Sequence, residues 1–182
     1  TKVRQAAQGD FRSLVESRHS IRMFTREPVE IGTLREAIAL AQRSPSVCNR
    51  QGCRAYVVAN PELRRQALEI QGGNRGFTEE IQSLIVVVAT LPVFRDSPER
   101  NQCWVDGGLF SMSLLYALHY LGLGACSLNW SAGRHKDQRL RALLGIPGQE
   151  VVIMLIGIGH LREEFVVAAS PRRPIEEVLT VL

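Results

Sequence analysis

In the nonapeptide ESRHSIRMF, residues 16–24, Arg18, His19, Ser20 and Arg22 fall within five positions at the end of a helix-forming stretch. Two guanidinium groups flanking a hydroxyl suit an anion, because a planar guanidinium gives a phosphate two parallel hydrogen bonds. Two more polar stretches lie in loops. SPSVCNRQG (44–52) places hydroxyls and amides at a helix end, and SPRRP (170–174) carries Arg172 and Arg173. Each alone is explained by capping or surface ion pairs. Three together point to an anion site. Arg50 close to Cys48 raises a further question, since a neighbouring cation lowers a thiol pKa. No histidine stands near Cys48 in sequence to act as a base, and cysteine is a common small packing residue. Cys48 is therefore expected to do no covalent work.

Other chemistries find no foothold. Cys48, Cys53, Cys103 and Cys126 form no C-x-x-C pair and have no histidine at zinc-finger spacing, so no metal is expected. Ser111 and Ser113 lie in a helical stretch without the glycines of a nucleophile elbow. Gly122-Leu-Gly124 follows a helix and precedes a strand, the reverse of the dinucleotide-binding order. GGNRG (72–76) lacks the Gly-Lys-Ser/Thr of a P-loop, and His119 reads as a core histidine with a satisfied partner. The 22 Lys+Arg against 18 Asp+Glu leave +4, scattered with no basic stripe, so nucleic acid is not an expected partner. The longest apolar stretch, Leu109 to Leu118, is too short to span a bilayer. No signal peptide opens the chain, which starts at Thr1 without Met, so native residues before Thr1 are expected to be missing. The expected compartment is the cytoplasm, with reduced thiols.

The elements that must position these residues follow from periodicity. Asp10 is placed to cap a helix with Phe11, Leu14 and Val15 as its buried stripe, ending near Arg18. Leu34, Ala37, Ile38 and Ala41 mark a second helix ending before Pro45, and Leu63, Ala67 and Ile70 a third ending at Gly72-Gly73. Strands are predicted over 54–60, 84–90, 124–130 and 150–160, the second buried on both faces. A loop fills 91–101, a short helix runs from Arg139 to Leu144, and an amphipathic segment follows SPRRP. The helix from Trp104 to Leu121 is apolar on nearly all sides, more than a small monomer can cover, which predicts burial in a subunit interface. The pattern is one α+β domain, 1–182, with three or four central strands.

In order and spacing these stretches resemble the nitroreductase family of flavoenzymes. The family's basic-x-Ser-x-basic element stands here as Arg18-His19-Ser20-Ile21-Arg22, and its Pro-Ser-x-x-Asn-x-Gln-Pro-Trp element as Pro45-Ser46-Val47-Cys48-Asn49-Arg50-Gln51-Gly52-Cys53, with Gly-Cys in place of Pro-Trp. ALHYLGLGACSLNW and SPRRPIEEV also match, and the likeness covers roughly 11–178. The resemblance implies an α/β/α sandwich around a mixed, largely antiparallel sheet, in an intertwined homodimer with FMN in two clefts at the interface. It assigns Arg18, His19 and Ser20 to the phosphate and ribityl chain, joined by Arg172 or Arg173, and Arg22 to the pyrimidine edge of the ring. Pro45, Ser46, Asn49 and Gln51 reach FMN from the other subunit. Leu128, Asn129 and Trp130 occupy the stretch where a backbone N–H meets flavin N5, and Thr78 is a polar ring contact. Cys48 stands where the family presents a small polar residue to the substrate side of the flavin, and so is expected to shape the substrate pocket. The implied activity is hydride transfer from NAD(P)H through N5 to a nitroaromatic, quinone, enone or flavin in a ping-pong cycle, with no catalytic side chain. Flavin destruction, dehalogenation, a dehydrogenase activity and non-catalytic flavin binding are the alternatives within the same fold. The short 91–101 segment, where larger members roof the substrate, implies an open or partner-completed site.

Overall fold

The computed structural model describes residues 9–182, so the first eight positions of the expected domain lie outside the described residues. Asp10 caps α1 (Phe11–Ser17) by accepting from the Ser13 N–H at 3.0 Å. The buried stripe expected on α1 is absent: Phe11 and Val15 are exposed, and Phe11 meets only the edge of Tyr116, with ring centroids 5.9 Å apart. This seven-residue helix buries none of its residues, and meets α4 through Phe11 against Tyr116 and Ser17 bonded to His119.

The remaining helices are α2 (Ile31–Ala41), α3 (Pro61–Gln71), α4 (Gln102–Tyr120) and α5 (Arg134–Leu144). Helix α5 begins five residues before its predicted start, because its first turn is polar and carries no apolar marker. The stretch after SPRRP forms only a 3₁₀ turn, Ile175–Glu177, with its apolar side chains in solvent.

Strands β1 (Cys53–Val58), β2 (Ser83–Thr90), β3 (Leu123–Asn129) and β4 (Glu150–His160) pair antiparallel in the order β1-β2-β4-β3. The expected mixed character reduces to one parallel bridge, Ser20 with Ala125, at the outer edge of β3. Alternation along β2 feeds two cores. Leu84, Val86 and Val88 join Leu68, Leu140 and Leu155 on the α3/α5 face, while Ile85 and Val87 join Leu34, Leu114 and Leu118 on the α2/α4 face. This is the α/β/α sandwich.

Two close approaches fix the layers. The register of β2 on β4 slips between Val87 and Val88, leaving Ile153 as an extra residue, and a Cβ on Gly107 of α4 would lie 2.7 Å from the Ile153 side chain. Phe24 lies over Gly159, where a Cβ would come within 2.6 Å of its ring. Buried Ile21 and Phe24 thus pin the segment that carries Arg18, Ser20 and Arg22, and the aromatic closing ESRHSIRMF is its anchor.

Candidate active site

Between α1 and the first pinned residue, the Arg18 segment runs along the outer edge of β3, with the Ile21 N–H donating to Ala125 O at 3.0 Å. Arg18, His19, Ser20 and Arg172 line one cavity of about 440 Å³, together with Glu16 and the chain from Val167 to Ser170. Arg172 is steered into place by donating to Ser170 O at 2.6 Å. Among the described residues none of Arg18, Arg22, Arg172 and Arg173 is ion-paired, whereas Arg50, Arg54, Arg65, Arg141 and Arg162 each hold a carboxylate. Arg22 stacks over Phe77, 5.8 Å from its centroid.

A second cavity, about 420 Å³, lies farther along β3 and is lined by Gln71, Arg75, Asn129, Trp130 and Lys136, among others. Ala125 and Asn129 are four residues apart on an extended strand, about 13 Å. Gln71 donates from Nε2 to Asn129 O at 3.0 Å, Lys136 donates to Gln71 O at 2.7 Å, and Trp130 donates to Asp137 at 2.9 Å. Sequence reading missed Gln71, Arg75 and Lys136, because they come from three loops and helix ends that only folding juxtaposes.

The Pro45–Gln51 turn is elsewhere. Pro45, Ser46 and Gln51 line a small cavity of about 90 Å³ with Asp106 and Phe110. The Val47 N–H donates to Asp106 Oδ2 at 3.1 Å near the start of α4, whereas Ser17, the residue before Arg18, bonds His119 near its end. Thirteen residues of helix separate Asp106 from His119, about 20 Å at 1.5 Å per residue. One chain therefore does not bring the two clusters together.

Burial disfavours the thiolate form of the three cysteines other than Cys48. Burial, with lesser effects from Asp106 and Cys103, pushes Cys53 up to about 11. Burial also raises Cys103, and it raises Cys126 against the pull of Arg22 and Arg18. No group of three or more metal-ligating side chains occurs among the described residues, and no helix there is long and apolar enough to cross a membrane.

The nitroreductase family model matches residues 15–73 and 66–160. The chain belongs to the nitroreductase family. It is 27% identical over 201 residues to an NADH dehydrogenase of Thermus thermophilus, covering 93% of this chain and 95% of that protein. A nitroreductase family protein from Streptococcus pneumoniae superposes with a TM-score of 0.78 at 18% identity, over 94% of this chain and 99% of that one. An FMN-dependent nitroreductase from Clostridium difficile gives 0.73 at 21% identity, over 87% and 92%. Both structures share the fold.

Several of the residues assigned by the family pattern occupy particular settings. Asn129 and Leu128 differ in aim. Ala125 O points away from the sheet to accept from Ile21, and alternation gives Ser127 and Asn129 the same outward direction, consistent with Asn129 O accepting from Gln71. Leu128 turns its main chain to β4 and its side chain into the core, so Asn129 is the one whose backbone meets the edge. Thr78 donates to Asn74 and lines a separate cavity with Arg64 and Glu79, away from Arg18. Gly52, in place of the family proline, leaves room that Val93 and Phe94 fill, since a Cβ there would lie 2.5 Å from Val93.

His119 has the partner expected of it. Ser17 Oγ donates to Ser13 O at 2.6 Å, so its oxygen accepts from His119 Nε2–H at 2.8 Å, which sets the neutral tautomer. Burial, then the charges of Arg18 and His19, hold His119 below the ordinary imidazole range. The unfolded chain, titrating near 6.5, binds the proton first as pH falls, so this group's contribution to stability is lost below about pH 6.5. His119→Gln, which keeps a donor near the Nε2 position, should flatten part of that loss in thermal melts between about pH 8 and pH 5. Parallel curves for variant and wild type would refute it.

Proposed function

We propose that this nitroreductase-family chain is an FMN-dependent oxidoreductase that works as a homodimer, taking hydride from NAD(P)H and delivering electrons to an electron-poor acceptor such as a nitroaromatic or quinone. One observation carries the reading: Arg18, Ser20 and Arg172, from elements more than 150 residues apart, line one cavity without ion-pair partners. Guanidinium and hydroxyl donors of this kind fit the phosphate of FMN. When bound, FMN supplies the hydride-accepting N5. The chain's own residues do the rest. Arg18, His19, Ser20 and Arg172 would hold the phosphate, and the outward main chain of Asn129 would be free to meet the ring edge. Arg22 would supply a fixed cation at the pyrimidine edge, where negative charge on a reduced ring would be stabilised.

The homodimer follows from the 20 Å gap. Trp104, Val105 and Leu109 are 48%, 52% and 43% exposed on one face of α4, and the terminal chain exposes Val166, Ile175, Val178, Leu179 and Val181. Such a patch on a small domain marks a contact surface. Two copies of α4 crossing antiparallel about a two-fold axis near Met112 put the Arg18 cluster of one beside the Pro45–Gln51 turn of the other. That arrangement completes two equivalent sites.

A spectrum of the purified protein, before and after anaerobic NADPH or NADH, tests the reading. The expected result is a bound flavin spectrum that bleaches. A colourless protein that takes up no FMN would overturn it, and FMN that neither nicotinamide reduces would leave a flavin-binding protein without turnover.

Cys48 is exposed on the turn with φ 49°. Cys48→Ser is expected to keep flavin reduction close to wild type while changing the Michaelis constant for the oxidising substrate. Stopped-flow measurement of both half-reactions decides this. Loss of turnover by several orders of magnitude with FMN still bound would make the thiol part of the mechanism.

A further inference from the structure

The turn that carries Cys48 is strained. Cys48, Asn49 and Gln51 have φ of 49°, 54° and 52°, a left-handed conformation that side-chain-bearing residues rarely adopt. Such strain persists only where the surroundings over-determine it. Here one side chain does most of that. Arg50 donates from Nε to Val47 O at 3.3 Å, from one terminal nitrogen to Val93 O at 2.5 Å, and from the other to Glu99 Oε1 at 2.5 Å. The Arg50 and Glu99 side chains are only 18% and 24% exposed, so solvent screens the pair weakly. Glu99 is itself held, its other oxygen accepting from the Arg95 N–H at 2.6 Å. Ser46 Oγ accepts from the Gln51 N–H at 3.0 Å, and Asp106, 2% exposed, accepts from the Val47 N–H. Gly52 admits Val93 and Phe94 against the turn. The 91–101 segment is thus a brace behind the turn.

Resting on the homodimeric FMN reading above, we infer that Arg50 is a positioning residue for acceptor binding: it couples the Cys48–Asn49 turn to the 91–101 segment through Glu99 and so sets which electron acceptors fit. In the proposed dimer the turn would face the cleft of the second subunit, whereas Arg50 points back to Val93 and Glu99 of its own chain. Its removal therefore relaxes the turn and the rim of the acceptor site, while the phosphate cavity of its own chain, at the far end of α4, keeps its structure. The acceptors most affected are planar, electron-poor aromatics large enough to reach the rim. A small quinone that sits over the ring alone is least affected.

The test compares wild type with Arg50→Gln, Arg50→Lys, Glu99→Gln and the Arg50→Gln/Glu99→Gln double variant, using a bulky nitroaromatic and benzoquinone as acceptors. Removing Arg50 should raise KM for the nitroaromatic about tenfold, with kcat and the rate of reduction by NADPH, both measured at saturating FMN, within about twofold of wild type. The benzoquinone KM should move by less than about threefold, Arg50→Lys should fall between, and the double variant should be no worse than Arg50→Gln alone. Unchanged nitroaromatic KM, equal shifts for both acceptors, or additive effects of the two substitutions would overturn the inference. Should wild type itself take up no FMN, the functional reading fails instead. The brace is then judged by amide hydrogen exchange at Asn49, Arg50 and Gln51. Exchange should rise at least about tenfold in Arg50→Gln and stay confined to the turn and 91–101; unchanged or global exchange would reject it.

Discussion

Leu109→Glu is expected to give a folded monomer that no longer retains FMN. Leu109 lies on the exposed face of α4 with Trp104 and Val105, where a carboxylate costs the monomer almost nothing because the position is open to water. In an isologous interface the same substitution appears twice near the axis, and desolvating an unpaired carboxylate costs several kcal/mol per ion. A dimer dissociation constant weakened by several orders of magnitude follows. The loss should then reach the cofactor, because the Pro45–Gln51 turn stands at the opposite end of α4 from Arg18 and, in the proposed dimer, would serve the site only across the interface. FMN affinity should fall at least about a hundredfold, near 3 kcal/mol. Sedimentation velocity recorded at protein and flavin wavelengths reads both effects at once, and unchanged far-UV circular dichroism excludes unfolding. A dimer of wild-type affinity would remove α4 from the interface. A monomer that binds FMN normally would show that one chain suffices for the site.

Arg18→Ala and Arg172→Ala should each weaken FMN roughly tenfold to a hundredfold, since a hydrogen bond to a charged partner contributes about 1.5–3 kcal/mol. Both side chains line the same cavity, so their effects should be coupled: the double variant loses less than the product of the two single losses. Riboflavin, which lacks the phosphate, separates this from general damage to the fold. Its affinity should be the same in all four proteins. The variants should purify pale and regain colour with excess FMN, and added salt should weaken wild type more than the double variant. An unchanged FMN dissociation constant in Arg18→Ala, or an equal loss of riboflavin, would falsify the phosphate assignment.

Sequence alone determined a great deal about this chain, wherever the physics is local. The continuous β-branched run at 84–90 could only be a strand covered on both faces, and β2 is that strand. Asn60-Pro61 and Gly72 punctuate α3 as capping chemistry requires, with Asn60 accepting from two N–H groups and Gly72 left-handed at φ 75°. Clustering of Arg18, Ser20 and Arg22 suggested an anion site, because guanidinium chemistry does not depend on the fold, and the structure places Arg18 and Ser20 on one cavity with Arg172. Tertiary structure decided the rest. Hydrophobic periodicity predicts which face of α1 is apolar but not whether anything covers it, and α1 proved exposed. The polar first turn of α5 carried no local signal, and its helical state is visible only in the folded chain. Replacement of Pro-Trp by Gly52-Cys53 could be read as a loss of bulk, yet its meaning came from Val93 and Phe94, forty residues on, closing into that space. Left-handed Cys48, Asn49 and Gln51 contradict the preferences of their own types and exist only because Arg50, Ser46 and Asp106 hold them. The gap between the two ends of α4 had the same origin: spacing along a sequence says nothing of distance across a helix until its packing is known, and that distance is what the proposed second copy would bridge.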